Sequence, residues 1–125
     1  MIKFSRAKSE QCAKEIIAFL LKHEMWQDTY IYANGKRFSD YDGNYHYDNT
    51  WDCVFVEEGV NPKNYLEWTG DFLCMTFEGP LYEVLNYYLS FKYCDKLIAE
   101  FNAIINKYGY YYELGHAWSL ALYKR

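Results

Sequence analysis

Thr-Tyr-Ile-Tyr-Ala-Asn-Gly-Lys-Arg-Phe-Ser, residues 29–39, is the stretch of sequence that decides the fold. Its first five residues are mostly β-branched or aromatic, which favours a strand. An Asn-Gly pair follows at Asn34-Gly35. Between such runs this pair predicts a two-residue hairpin, because a type I′ turn needs positive φ at both central residues. Residues 36–41 are then the return strand, and this pairing sets Ile31 opposite Phe38.

Asp42-Gly43 is a second turn signal of the same kind, and it predicts a third strand over residues 44–57. Pairing about this turn sets Tyr47 opposite Phe38. One face of the resulting meander is predicted to be apolar and to carry Ile31, Phe38, Tyr47, Trp51, Cys53 and Phe55. The opposite face is predicted to carry Tyr30, Tyr32, Arg37, Tyr41, His46, Asp48 and Asp52.

Apolar residues at helical spacing predict three helices around this sheet. The first runs from about Arg6 to Lys22, and an alternating Ile2 and Phe4 before it indicate a short strand. The second opens at Gly79-Pro80, where proline takes its favoured first position. Its apolar stripe is Leu81, Val84, Leu85 and Tyr88. The third follows a break near Ser90 and stops at Gly109, with a stripe of Cys94, Leu97, Ile98, Phe101, Ile104 or Ile105, and Tyr108.

Two more segments have strand patterns. Residues 72–77 are largely apolar on both faces, which predicts a central, buried strand. Residues 110–113 and 117–123, separated by a turn at Leu114-Gly115-His116, predict a closing hairpin. A turn is also predicted at residues 69–71. The side chains predicted to lie in the core include Phe77, Leu85, Phe101 and Trp118.

The order of these elements predicts an α+β fold. A mainly antiparallel sheet, formed by the meander and the C-terminal hairpin, packs against two or three helices. The chain of 125 residues has the length of one ordinary domain, so residues 1–125 are predicted to form a single α+β domain.

The four cysteines, Cys12, Cys53, Cys74 and Cys94, form no C-x-x-C pair, so the usual zinc and thioredoxin spacings are absent. The N-terminal residues have no apolar signal region, and no run reaches the roughly 20 apolar residues of a membrane span. We therefore expect a cytoplasmic protein with reduced, buried thiols and no membrane association.

The acidic residues are concentrated in the middle of the chain. From Asp40 to Glu83 there are ten acidic residues and one basic residue, Lys63, so this segment has a net charge of −9, whereas the whole chain has −4. The same region is rich in tyrosine, in a chain that is 22% aromatic. Charge asymmetry of this kind concerns partners and association rates rather than the fold.

No motif in the sequence predicts catalysis or metal binding. Asp40 begins a stretch that resembles the start of a calcium loop, but Tyr45 stands where an EF-hand needs glycine and Trp51 where it needs glutamate. No phosphate-binding loop, G-x-S-x-G or H-E-x-x-H motif occurs. We predict no metal, no cofactor and no catalytic residue, and a protein that is not an enzyme.

The acidic, tyrosine-rich middle predicts a surface that binds a basic partner protein. Carboxylates would steer the encounter and aromatic rings would supply contact area, while direct binding of nucleic acid is disfavoured because phosphates would be repelled. The predicted partner-binding residues are Asp40, Tyr41, Asp42, Tyr45, Tyr47, Asp48, Asp52, Glu57 and Glu58.

Nucleic-acid channels are the most natural basic sites, so we expect a non-enzymatic inhibitor that mimics phosphate and occludes such a site on a larger partner, with a nuclease as the concrete case. Small acidic inhibitors from phages and mobile elements, including anti-CRISPR proteins, and immunity proteins against nuclease toxins share this profile of size and charge. The chain is expected to act as a monomer or a homodimer.

Three alternatives stay open at this stage. The first is a small-molecule-binding module with an aromatic pocket between sheet and helices. The second is a small hydrolase-like enzyme, since ten acidic residues in a short segment bring some carboxylates together. In the third, the acidic residues are only solvated strand and turn residues.

Overall fold

The protein was analysed as a computed structural model that describes residues 6–64 and 72–125, and these residues form three α-helices and a six-stranded sheet. The helices are α1 Arg6–Lys22, α2 Pro80–Leu85 and α3 Phe91–Lys107. The strands are β1 Thr29–Ala33, β2 Lys36–Ser39, β3 Phe55–Glu58, β4 Leu73–Phe77, β5 Tyr110–His116 and β6 Ser119–Lys124. The predicted α+β class is confirmed. The predictions for residues 2–4 and 69–71 lie outside the described residues.

The sheet has the strand order β3-β2-β1-β4-β6-β5, and every neighbouring pair is antiparallel. Strand β4 lies in the middle, between β1 and β6, as its apolar faces predict. The C-terminal hairpin of β5 and β6 therefore joins the N-terminal hairpin through β4. Local pairing builds each end of the sheet, and β4 connects the two ends.

The first hairpin has the predicted register. Ile31 lies opposite Phe38, and Asn34 and Gly35 have φ values of 54° and 70°. Both central residues of the turn therefore have the positive φ that a type I′ turn requires. The side chains of Ile31 and Phe38 are buried on the helix-covered face of the sheet.

The second predicted hairpin is wrong. Strand β2 pairs instead with β3, and Val56 rather than Tyr47 lies opposite Phe38. Gly43 has a φ of 111°, but Asp42 is not among the residues with positive φ, so the type I′ geometry is not formed. The β structure within residues 40–50 is one isolated bridge, between Tyr41 and Tyr45.

The predicted apolar face fails at the residues that depended on this hairpin. Tyr47 and Trp51 are exposed, and Phe55 pairs with Ser39, which places it on the opposite face from Phe38. Cys53 is buried, but in a 3₁₀ turn over Trp51–Cys53 rather than in a strand. Alternation of side chains assigns a face only within a regular strand, and residues 44–54 do not form one.

Helices α1 and α3 cover one face of the sheet and form the main core with it. Phe77, Leu85 and Phe101 are buried as predicted. Trp118 is 38% exposed, so its prediction is wrong: the turn of the last hairpin falls at residues 117–118, and Trp118 stacks on His116 with ring centroids 4.7 Å apart.

Tyr88 also departs from its prediction. Helix α2 ends at Leu85, so Tyr88 follows the helix and is 66% exposed, although Leu81, Val84 and Leu85 are buried as the stripe predicts.

In α3 the hydroxyl of Ser90 caps the helix by accepting the Tyr93 backbone N–H at 3.3 Å.

All four cysteines are buried, and none of them forms a disulfide. Burial raises the pKa of the Cys12 thiol to about 12, which makes this thiol a poor nucleophile at neutral pH. No helix within residues 6–64 and 72–125 is both long and apolar enough to cross a membrane.

Candidate functional site

The loop over residues 40–54, which connects β2 to β3, presents a row of aromatic side chains to solvent. Tyr45, Tyr47 and Trp51 are each about half exposed, and Tyr41 is somewhat less so. The ring centroids of Tyr41 and Tyr45 are 4.7 Å apart, and those of Tyr45 and Tyr47 are 6.0 Å apart with an interplanar angle of 17°. The tyrosines therefore form one continuous surface of stacked and tilted rings.

Asp40 anchors the start of this loop. Its carboxylate accepts the backbone N–H of Asp28 at 2.8 Å, and its carbonyl oxygen accepts the backbone N–H of His46 at 3.0 Å. The side chain is completely buried, and burial raises the pKa of its carboxyl. The prediction that Asp40 belongs to the binding surface is therefore wrong: this residue supports the loop from inside.

Trp26 anchors the end of the loop. Its indole N–H donates to the Cys53 carbonyl oxygen at 2.9 Å, and its backbone N–H donates to the side-chain oxygen of Asn49 at 3.0 Å. The Trp26 side chain is fully buried. A loop held at both ends by buried hydrogen bonds loses little conformational freedom on binding, which favours recognition.

The other predicted acidic residues are exposed. Asp42, Asp48 and Asp52 are exposed on the loop, and Glu57 and Glu58 are exposed on β3. The His46 ring, 2.8 Å from the Asp42 carboxylate, lowers the pKa of that carboxyl. Eight of the nine predicted residues are thus exposed, but Glu57 and Glu58 alternate along β3 and therefore lie on opposite faces of the sheet.

Two of these carboxylates contact basic side chains of β2. Glu57 accepts a hydrogen bond from Arg37 at 2.8 Å, and the Glu58 carboxylate lies 3.8 Å from Lys36. Glu57 remains half exposed and Glu58 largely exposed. Surface ion pairs of this kind add little stability, so these carboxylates stay available to a partner at the rim.

A cavity of about 290 Å³ opens beside the loop, on the face of the sheet opposite the helices. Its aromatic lining includes Tyr30 and Tyr32 of β1, Tyr45 of the loop and Trp118 of the last turn. Burial and a hydrogen bond with Tyr45 raise the pKa of Tyr30 to about 12. We call this feature the tyrosine cavity.

Charged groups of both signs border the tyrosine cavity. Asp28, Glu78 and Arg37 all belong to its lining. Burial lowers the pKa of Arg37, but hydrogen bonds to Glu57 and Tyr32 outweigh this effect and raise it. The Arg37 guanidinium lies 5.2 Å from the Tyr30 ring centroid. The arginine is thus held by a carboxylate on one side and aromatic rings on the other.

Sequence reasoning found only part of this cavity. The hairpin register correctly placed Tyr30, Tyr32 and Arg37 on one face, and the observed pairing of Tyr32 with Arg37 agrees. Glu78 and Trp118 were missed, because they come from distant elements that meet this face only through β4 and β6.

A second group of exposed aromatic and apolar side chains lies in the connection between α2 and α3 and in the first turn of α3. Tyr87 and Phe91 stack at 5.2 Å, and Phe91 is 68% exposed. The group is completed by the exposed side chains of Tyr88, Leu89 and Tyr93. The sequence carried no signal for this grouping.

Among the described residues, 6–64 and 72–125, no group of three or more His, Cys, Asp or Glu side chains is arranged to hold a metal ion. No protein-family model, curated protein or solved structure matches this chain, so its function has to be inferred from its own residues.

Proposed function

We propose that this protein binds a basic partner protein through residues 40–54 and the adjoining carboxylates of β3. One observation carries the proposal: exposed aromatic rings share one loop with three exposed carboxylates, Asp42, Asp48 and Asp52, and hydrogen bonds to the buried side chains of Asp40 and Trp26 hold this loop in place. Rings at the centre of an interface supply most of the binding energy, and carboxylates around them steer the encounter with a basic surface.

The charge of this region supports a basic partner. Residues 40–58 contain six acidic side chains and no lysine or arginine. Only one of the six, Asp40, is buried. Sites that bind nucleic acid are basic. The carboxylates of an inhibitor can occupy the positions that phosphates would take in such a site. We therefore propose a non-enzymatic inhibitor that occludes a nucleic-acid-binding site, with a nuclease as the concrete partner.

The test is a capture experiment with matched baits. The wild-type protein is immobilised beside a variant that carries Asp42→Asn, Asp48→Asn and Asp52→Asn. The control bait removes three exposed carboxylates elsewhere, through Glu24→Gln, Glu83→Gln and Glu113→Gln. Each bait is exposed to lysate, and the retained proteins are eluted with double-stranded DNA.

The proposal predicts a protein that the wild type and the control bait retain, that the loop variant loses, and that DNA elutes. A protein that the loop variant retains as well as the wild type, and that DNA fails to elute, would show that the acidic loop is only a solvated surface.

The tyrosine cavity favours a second candidate function, the binding of a small organic molecule. Its position differs from the sequence prediction, which expected an aromatic pocket between sheet and helices. A volume of about 290 Å³ lies at the lower end of the range for ligand pockets. This size suits one side chain or a small group better than a large ligand.

A further inference from the structure

We propose that the tyrosine cavity accepts a cationic side chain, arginine or lysine, from the partner protein. The inference rests on the proposed function, since it names the group by which a basic partner would insert into this surface. Four observations support it: the aromatic walls, the acidic residues at the border, the pairing of Arg37 with Glu57, and the contacts that link Tyr45 to the tyrosines of the loop.

The aromatic walls have the chemistry that binds organic cations. A guanidinium or ammonium group over the face of a tyrosine or tryptophan ring is attracted by the negative face of the ring. Tyr30, Tyr45 and Trp118 bring three such rings to one cavity. The Arg37 guanidinium already lies over the Tyr30 ring, 5.2 Å from its centroid, so the molecule itself uses this contact.

The charge at the cavity also favours a cation. Two acidic residues, Asp28 and Glu78, are among those that line the cavity, and the Asp28 carboxylate also forms a hydrogen bond with Tyr47. Arg37 is the opposing charge, but Glu57 pairs with it at 2.8 Å. An entering anion would have to compete with Glu57 for Arg37 and would lie near two further carboxylates, whereas an entering cation would meet those carboxylates directly.

Tyr45 connects the cavity to the loop that we propose as the docking surface. Its ring lines the cavity and contacts the rings of both Tyr41 and Tyr47. A partner seated on the row of tyrosines would therefore lie beside the cavity opening. One of its basic side chains could then reach the cavity without rearrangement of the sheet.

Small peptides test this inference without the partner. Acetyl-Gly-Arg-Gly-amide and its lysine counterpart are titrated into ¹⁵N-labelled protein, with the citrulline peptide as a neutral probe of the same shape. We expect dose-dependent shifts of the Trp118 indole N–H signal and of the Tyr30 and Glu78 amides. The citrulline peptide should bind at least tenfold more weakly.

Variants locate the site. Asp28→Asn is compatible with the left-handed backbone of that residue, whose φ is 51°, and Glu78→Gln changes an exposed side chain. The double variant should weaken binding of the arginine peptide about tenfold, and Trp118→Ala should weaken it as well. Glu113→Gln, which removes a carboxylate outside the cavity lining, should leave binding unchanged.

Three results would overturn the inference: equal binding of the citrulline peptide, no shift of cavity signals at 50-fold peptide excess, or tighter binding of choline, a free organic cation, than of either basic peptide.

The variant that lacks the Asp42, Asp48 and Asp52 carboxylates keeps the acidic residues of the cavity, so it should bind the arginine peptide normally while it fails to capture the partner. The two proposals can therefore fail separately.

Discussion

The backbone N–H of Asp28 donates a hydrogen bond to the buried carboxylate of Asp40, with a nitrogen–oxygen distance of 2.8 Å. Asp28 borders the tyrosine cavity, and Asp40 begins the loop that carries the exposed rings. A single buried contact thus supports both parts of the proposed binding surface. It also explains why an acidic residue that the sequence assigns to the surface is completely inaccessible.

Substitution of Asp40 should destabilise the protein. Asp40→Ala leaves the Asp28 N–H without its acceptor, and the loss of a buried hydrogen-bond partner costs about 1–3 kcal/mol of unfolding free energy. Asp40→Asn keeps an oxygen acceptor and should cost less. Urea denaturation measures both. Asp48→Ala, at an exposed position of the same loop, is the control and should change stability by less than about 0.5 kcal/mol; a loss as large as that of Asp40→Ala would contradict the anchoring role.

Two phenylalanines of α3 provide a matched test of the core. Phe101 is fully buried between Phe19 and Tyr112, with ring centroids 5.9 and 5.4 Å away, whereas Phe91 is largely exposed. Phe101→Ala should lower the unfolding free energy by about 3–5 kcal/mol. Phe91→Ala should change it by less than about 0.5 kcal/mol. Similar losses from the two variants, measured by urea denaturation, would mean that α3 does not face the sheet as described.

An ion-pair cluster between α1 and the first hairpin should make stability depend on pH. The Glu10 carboxylate accepts hydrogen bonds from Lys36 at 2.8 Å and Asn34 at 2.9 Å, and Lys14 lies 3.3 Å away. These contacts lower the pKa of Glu10 from 4.5 to about 2, with Lys36 as the largest cause. The stabilisation is therefore complete above about pH 4.5 and is lost as the pH falls through about 2.

The variant Glu10→Gln tests this dependence. At pH 7 it should be less stable than the wild type by about 1–2 kcal/mol. The difference should shrink as the pH falls from about 4.5 to about 2, because in this range the unfolded chain takes up a proton on Glu10 while the folded wild type must lose its charged contacts to do so. Glu113→Gln should show no comparable change over the same range. A Glu10→Gln difference that is constant with pH would show that the cluster does not stabilise the charged form of Glu10.

The cysteines offer a direct test of the buried thiols. Thiol titration of the unreduced protein should find four reactive groups after denaturation, because none of the four cysteines, Cys12, Cys53, Cys74 and Cys94, forms a disulfide. Before denaturation they should react slowly, since all four are buried. Recovery of two thiols or none from the denatured protein would demonstrate disulfide formation and overturn this part of the structure.

The sequence predicted those elements that local chemistry determines. Asn34-Gly35 specified the first hairpin and its register, because few residues other than Asn and Gly tolerate the positive φ values of that turn. Asp42-Gly43 has the same kind of turn sequence as Asn34-Gly35 but a different structure. The Asp42 carboxylate accepts the Asn44 backbone N–H at 3.2 Å and contacts the His46 ring. This local turn takes the place of the predicted hairpin. The partner of β2 is instead β3, which begins at Phe55.

The candidate site was predictable only where it follows from composition. Its acids and tyrosines were identified because they are concentrated in one segment. Their place on an irregular loop rather than a strand was not predictable, because it depends on the contacts that Trp26 makes with Asn49 and Cys53 across more than 20 residues of sequence. Trp118 was wrongly predicted to lie in the core, because its spacing from Leu120 and Leu122 is that of one face of a strand. In the structure, the chain turns at Trp118 and the strand begins at Ser119.

The most direct test of the central claim is the association rate between this protein and its captured partner, measured at increasing salt. The wild type is compared with Asp42→Lys/Asp48→Lys and with Glu83→Lys/Glu113→Lys, which reverses two exposed charges elsewhere. We predict that reversal of the loop charges slows association at least tenfold at low salt. The ratio of the wild-type rate to the variant rate should fall as salt screens the charges over about 10 Å. The control variant should associate at the wild-type rate. An association rate that neither salt nor the loop substitutions change would contradict the proposal that the acidic aromatic loop binds a basic site.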